Sequence, residues 1–357
     1  MTGLVDVLVV GMGPAGARAA AIAAGQGRRV LAVDRRPRPG EPVQCAGFVP
    51  RPLARYVPEG ALLQRVRRME TVLPSGRVET TPFEGLMVER AAFDRGLLER
   101  AAAAGAALRA GTALTGLDPS RHQARLRTGE GEESVRYRAL VAADGPRSAV
   151  RRALGRPRLP VLATCQRTVA LEAPGEATRV WLGPQFPGGY AWLFPRGGTA
   201  YLGAGVDRRY GISPKAAVAG LHHRLSAAGV VGREVPGRTG GAVPAGGVAE
   251  LFVGDVLFAG DAAGLTHPIS GAGIAAAVTS GEAAGRAAAA FTLGQGGAPG
   301  AYAEEMRALY GPGLARAVAR RCEMAPAWAG TGPEADAAAR RGWIAFPEHY
   351  GEEAACP

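Results

Sequence analysis

Residues 8–34 read LVVGMGPAGARAAAIAAGQGRRVLAVD, and they place three glycines and one acid where a pyrophosphate and a ribose could be held. Gly11 and Gly13 allow a tight turn and close approach of backbone to phosphate. Gly16 lets the next helix press against a sheet while its N-terminus faces the anion. Pro14 and Ala15 complete the turn, Asp34 ends the second strand within reach of a ribose hydroxyl, and Arg35 follows it. Further along, ADGPRSAVRRALG (143–155) forms a sharp turn at Asp144 and Gly145 before a helix opened by Ser148. In GDAAGLTHPISGAGI (260–274), Asp261 after Gly260 could accept hydrogen bonds from a sugar chain. The stretch from Pro268 through Gly271 to Gly273 could lie along a flat ring, with Ile274 next. His267 in that loop could be a proton source, although loop histidines are more often structural.

The elements that must position these residues follow from the period of the apolar pattern. An apolar strand, a small-residue helix and a second strand account for residues 8–34, with Ala20, Ala24, Gly27 and Val30 expected where helix and strand touch. Prolines from 37 to 50 demand a loop. Strand-like runs follow at 66–88, then a helix carrying Phe93, Leu97, Leu98 and Ala101, a strand near Leu114 and another at 139–143. Turns such as PGG and PRGG between YAWLF and TAYLGAGV predict an antiparallel sheet over 160–255. A buried strand at 256–260, a small-residue helix at 272–291 and an amphipathic helix at 300–325 complete the pattern. The expected organisation is a discontinuous nucleotide-binding domain (1–49, 89–159, 250–297), a second domain (50–88, 160–249) and a helical C-terminal region (298–357). Gly271 and Gly273 form a second GxG, but THPIS before them is no buried strand, so a second nucleotide unit is not expected.

Composition bounds the remaining possibilities. The chain has 357 residues and a formal charge of +11, from 41 arginines and one lysine, Lys215. The arginines are scattered among alanines, which fits biased coding and some attraction to phosphates or an anionic membrane surface, and not nucleic-acid binding. No apolar run approaches the roughly 20 residues of a membrane span, and the N-terminus lacks the regions of a signal peptide. A cytoplasmic protein is expected, peripheral at most to the inner face of a membrane. Cys45, Cys165, Cys322 and Cys356 lie far apart without CxxC, so they are expected to be reduced thiols, with no disulfide framework and no metal site.

Taken in order, the three glycine- and aspartate-bearing motifs resemble the FAD fingerprints of glutathione-reductase-type flavoproteins, in the branch of aromatic hydroxylases and geranylgeranyl reductases. That resemblance covers nearly the whole chain. It implies an α/β fold, with a Rossmann-like FAD-binding domain, an inserted antiparallel β-sheet substrate domain and a helical C-terminal tail. It implies that Gly11, Gly13, Gly16 and Asp34 hold the adenosine end, that Arg90 before FDxxL contacts the cofactor, and that Asp261 binds the ribityl hydroxyls. The helix from Gly273 would point its positive end at the flavin pyrimidine edge.

Within that branch, PVQCAGFVP (42–50) and PGGYAWLFPRG (187–197) are similar to the geranylgeranyl reductase family. The likeness implies that Cys45 sits by the flavin as a proton donor or redox thiol, or else is a small buried thiol. Tyr190, Trp192 and Phe194 alternate and share one strand face, where a polyprenyl chain could lie; the plain alternative is a sheet core. The implied activity is reduction of polyprenyl double bonds by hydride from FAD, itself reduced by NAD(P)H or a reduced protein that visits transiently. Partners are then an apolar small molecule or lipid and an electron-donor protein. Two departures leave the substrate open: Ala46 follows Cys45 in place of glycine, and Ala272 stands where the reductases commonly have an acid. Ile274 at the hydroxylases' asparagine position argues against oxygen activation. A thiol, disulfide or lipoyl-like substrate exchanging with Cys45, an aromatic monooxygenase and a non-catalytic flavin-binding protein are the competing readings.

Overall fold

Near-continuous apolar runs make the centre of the first sheet, as strands covered on both faces require. The computed structural model describes residues 3–351. Here β1 (Leu4–Val10) pairs in parallel with β2 (Val30–Asp34) and with the second half of β9 (Gly131–Ala142). The order is β15-β16-β9-β1-β2-β6, with β6 at Ala107–Ala110, β15 at Phe252–Val253 and β16 at Val256–Phe258. β7 (Ala113–Asp118) and β8 (Gln123–Thr128) form an antiparallel hairpin that extends from the first half of β9.

Two helices with small residues lie together on this sheet: α1 (Pro14–Gly25) and α5 (Ile274–Thr292). Their backbones touch where α5 carries glycine. A methyl group at Gly281 would stand 2.2 Å from the Ala15 carbonyl oxygen, and one at Gly285 2.6 Å from that of Ala19. α2 (Arg90–Ala103) buries Phe93, Leu97 and Ala101 in the pattern read from its sequence, with Leu98 partly buried. Ala20, Ala24 and Val30 are buried as expected. Gly27 is not at a helix–strand contact; it is exposed, with φ +76°, and ends α1 as a left-handed residue, which glycine adopts without strain.

The second sheet runs β14-β10-β13-β12-β11-β4-β5-β3. Its strands are β3 (Phe48–Val49), β4 (Leu62–Val72), β5 (Val78–Val88), β10 (Val161–Ala170), β11 (Ala177–Trp181), β12 (Tyr190–Arg196), β13 (Thr199–Val206) and β14 (Gly237–Pro244). Neighbours are antiparallel except β11 and β4, which are parallel because they come from separate parts of the chain. α4 (Pro214–Ala227) covers one face. Against the other lie Ile269 and the C-terminal region: α6 (Ala298–Glu323), α7 (Ala325–Ala329) and α8 (Pro333–Gly342). The short α3 (Ala149–Ala153) follows β9. One expectation about the thiols is corrected: Cys45 and Cys165 are free, but Cys322 on α6 is disulfide-bonded. Wide spacing in sequence does not measure distance in a folded chain. Cys356 lies outside the described residues.

Candidate active site

Strands β1, β2, β9 and β16 all end at one cavity of about 470 Å³, on the carboxyl edge where open α/β sheets hold ligands. Each strand delivers one motif to it: Gly11 and Gly13 after β1, Asp34 and Arg35 at the end of β2, Asp144 after β9 and Asp261 after β16. Pro14, Ala15, Arg90, Gly271, Gly273, Ile274 and Cys45 complete the sequence-derived residues on its wall.

The glycines divide into two kinds. A methyl at Gly11, where φ is +99°, would overlap the Ala143 carbonyl oxygen at 2.3 Å, and one at Gly16 would lie 1.8 Å from the Gly11 oxygen. These two bring the turn, β9 and α1 together. At Gly13, by contrast, an added methyl meets nothing within 4 Å, although the residue lines the cavity. Space is kept there for something outside the chain.

The polar groups are oriented by backbone. Asp34 accepts from Met12 N at 2.9 Å and Arg36 N at 2.8 Å, so its carboxylate is fixed at the mouth of the turn. Asp144 accepts from Ala149 N and Val150 N at 2.6 and 3.1 Å through Oδ2, while its buried Oδ1 has no partner among the described residues. Burial pushes the Asp144 carboxyl above its ordinary range. Asp261 is likewise pushed up by burial, partly offset by a hydrogen bond from Thr266 and by the Arg90 charge. α1 and α5 both start on this cavity, and neither has a side-chain cap or an acid in its first turn. Two uncapped helix N-termini, an orphaned carboxylate oxygen and an open glycine are what a dinucleotide with a pyrophosphate would use.

Cys45 is half-buried on the cavity wall, and Gly47 N donates to its Sγ at 3.4 Å. Arg90 stands beside it. The guanidinium donates to both oxygens of Asp94 at 2.8 and 2.9 Å, which together with Cys45 outweighs burial and holds it firmly protonated. The loop around Cys45 is tied to the second sheet: Gln44 donates to Gly240 O at 2.6 Å and Gln166 donates to Cys45 O at 3.3 Å. Gln166 in turn accepts from Trp192 Nε1 at 3.3 Å.

Six predicted residues lie elsewhere. His267 does not line the cavity; its Nδ1 accepts from Ser270 N at 3.2 Å, and its ring lies 6.0 Å from that of His349. Burial holds its pKa down at about 4, with His349 adding to the effect. The Pro268 carbonyl accepts from Arg321 of α6 at 3.3 Å. Tyr190, Trp192 and Phe194 do share one face of β12, but Trp343 and Phe346 pack onto it, with the Tyr190 and Trp343 rings 4.8 Å apart. Tyr190 OH donates to Ser270 O at 2.6 Å. Gly260 packs between Ala15 and Ala277 and is not on the wall.

Asp94, Gln166 and the β14 residues Gly240 to Val243 were missed by sequence reasoning. Asp94 had a signal, since it stands four residues after Arg90 on one helix face. Gln166 and β14 had none, because their relevance arises from strand pairing.

Comparison with known proteins agrees with this geometry. The FAD binding domain family matches residues 4–170. Digeranylgeranylglycerophospholipid reductase 2 of Methanopyrus kandleri is 36% identical over 287 residues, which span 75% of this chain and 72% of that protein. The Methanosarcina acetivorans digeranylgeranylglycerophospholipid reductase is 33% identical over 303 residues, 76% and 72% of the two chains. Among solved structures, a geranylgeranyl bacteriochlorophyll reductase-like protein of Thermoplasma acidophilum superposes with a TM-score of 0.84 at 25% identity, over 91% of this chain and 88% of that one. The flavin-dependent halogenase CmlS, at 0.71 and 19% over 94% and 67%, shares the fold. With that cavity and those relatives, the chain belongs to the geranylgeranyl reductase family of FAD-dependent oxidoreductases.

Proposed function

We propose that this protein saturates carbon–carbon double bonds of a polyprenyl chain. The observation that carries the reading is Cys45 on the wall of the cofactor cavity, in a chain related to reductases of geranylgeranyl lipids. Gly11, Gly13, Asp34 and the α1 N-terminus hold the adenosine and pyrophosphate, Asp144 and Asp261 meet the sugar chain, and Gly271 to Ile274 border the ring. Bound FAD, once reduced, supplies a hydride to one alkene carbon. Cys45 Sγ delivers a proton to the other and regains one from water, so that two hydrogens are added in all. Because an isolated alkene accepts hydride poorly, proton delivery in a water-poor cavity shares the transition state. Gly47 N and Arg90 keep the sulfur in position.

Residues 1–49, 89–159 and 250–297 serve as the cofactor unit and 50–88 with 160–249 as the substrate unit. NAD(P)H or a reduced protein acts as a transient donor. A substrate of this class resides in bilayers, and the +11 charge suits peripheral contact with an anionic membrane face.

The test is anaerobic reduction of the FAD-loaded protein, followed by mixing with geranylgeranyl lipids, quinones or disulfides. Reoxidation by the prenyl lipid, with two hydrogens gained per double bond by mass spectrometry, is expected. Cys45→Ser should keep FAD and part of the turnover, since a hydroxyl relays a proton. Complete loss of turnover with FAD retained, together with reoxidation by disulfides, would instead assign Cys45 to thiol exchange.

A further inference from the structure

A second cavity, of about 170 Å³, lies on the face of the second sheet and is lined by Val43, Gln166, Thr168, Tyr201, Arg238 and Thr239, with Gly237. Val43 also lines the cofactor cavity, so the two spaces meet at one side chain. Strand register explains the lining. Thr168 is opposite Tyr201 across β10 and β13, and Gln166 is opposite Thr239 across β10 and β14, which puts all four on one face.

Tyr201 is only 8% exposed as a residue, but its hydroxyl stays open on the cavity and makes no hydrogen bond among the described residues. Its ring is held under the Arg196 guanidinium at 4.4 Å. Burial raises the phenol above its ordinary pKa, and Cys45 and Arg90 are near enough to act on it electrostatically. An O–H donor that opens on a cavity and has no acceptor within the protein is free to bond an acceptor oxygen of a ligand seated there. Gln166 is not available for that purpose, since Cys45 O and Trp192 occupy its amide. Thr168 and Thr239 add two more hydroxyls to the lining, no carboxylate is present, and Arg238 is exposed at the rim. The volume is below the roughly 300–1,000 Å³ that encloses a whole drug-sized ligand, so it suits one end of a longer molecule.

We infer that this cavity is a subsite for the uncharged oxygen end of a prenyl substrate, a hydroxyl or an ether, with Tyr201 as the hydrogen-bond donor. The inference rests on the prenyl reading above. Anchoring the oxygen here leaves the hydrocarbon to pass Val43 toward the cofactor cavity, beside Cys45.

The experiment titrates the FAD-loaded protein with geranylgeraniol, its methyl ether, geranylgeranyl phosphate and the matching hydrocarbon without oxygen, reading binding by equilibrium dialysis and by the flavin spectrum. The alcohol and the ether should bind roughly tenfold more tightly than the hydrocarbon, as one net hydrogen bond allows. Tyr201→Phe should bring both to the hydrocarbon's level with FAD content unchanged, and Thr168→Val should weaken them in the same direction. Equal binding of alcohol and hydrocarbon by the wild type, discrimination retained in both variants, or binding of the phosphate alone would each overturn the subsite. A drop in turnover number for Tyr201→Phe with unchanged discrimination would also overturn it, and would make Tyr201 a proton donor instead. Binding with discrimination but no reduction of any prenyl compound would leave the subsite standing and refute the prenyl reductase reading.

Discussion

Asp261 and His267 are six residues apart and show how differently two titratable groups in one loop can be used. Asp261 faces the cavity with one carboxylate oxygen held by Thr266, leaving the other for a ligand. Asp261→Ala should therefore purify with much less FAD than the wild type, measured as the ratio of flavin to protein absorbance, with little change in circular dichroism. His267 is a half-buried turn-former whose ring nitrogen accepts from the backbone. Its pKa is held down at about 4 by burial, against roughly 6.5 for an exposed imidazole. Between those values the unfolded chain binds a proton that the folded chain refuses, so stability is complete above about pH 6.5 and is lost as pH falls toward 4. The loss approaches about 3 kcal/mol at the acid end. His267→Asn retains an acceptor for Ser270 N without the titration; its melting temperature should fall less between pH 7 and 4.5 than that of the wild type. Parallel declines would mean that other groups dominate.

The α1–α5 crossing is the element that sets two helix N-termini at the cavity. Both helices aim their N-termini at the cavity, and Gly281 sets how closely they approach, with Ala15 O where a methyl would need to be. Backbone cannot rotate aside as a long side chain can. Gly281→Ala should cost about 1–3 kcal/mol by overpacking, despite alanine's better helix propensity. It should also weaken FAD by displacing the first turn of α1. Thermal melts with and without added FAD would register both effects, and an unchanged melting temperature would show that the helices separate freely. The small residues of α1 and α5 were legible in the sequence as packing helices. That they pack on one another was not, because Gly281 lies 266 positions after Ala15 in the chain.

The C-terminal region joins the rest of the molecule through the aromatic face of β12. Trp343, fully buried, packs tilted against Tyr190, while α8 is pinned to the β4–β5 turn by Asp336, which accepts from Ser75 N and Oγ at 2.9 and 2.6 Å, and by Arg340 paired with Glu79. Trp343→Ala should cost about 3–5 kcal/mol and lower the denaturation midpoint. FAD content should suffer less than prenyl turnover, because Trp343 does not line the cofactor cavity. A variant that loses FAD and stability together would show that the two sheets unfold as one cooperative unit.

The cofactor half of the site was readable because its chemistry is local. A strand, a glycine turn and a helix N-terminus lie within about thirty residues, and each aspartate ends its strand or follows it within three residues, so type and spacing were enough to bring Gly11, Gly13, Asp34, Asp144 and Asp261 to one cavity wall. The substrate half depended on what covers a strand face. Alternation put Tyr190, Trp192 and Phe194 on one side of β12, but period two cannot say whether that side meets a ligand or another part of the chain. In the fold Trp343 and Phe346 cluster with that face, and open space lies at Tyr201, Thr168 and Gln166. Those three residues come together through pairing of β10, β13 and β14, a contact between segments that carry no motif of their own.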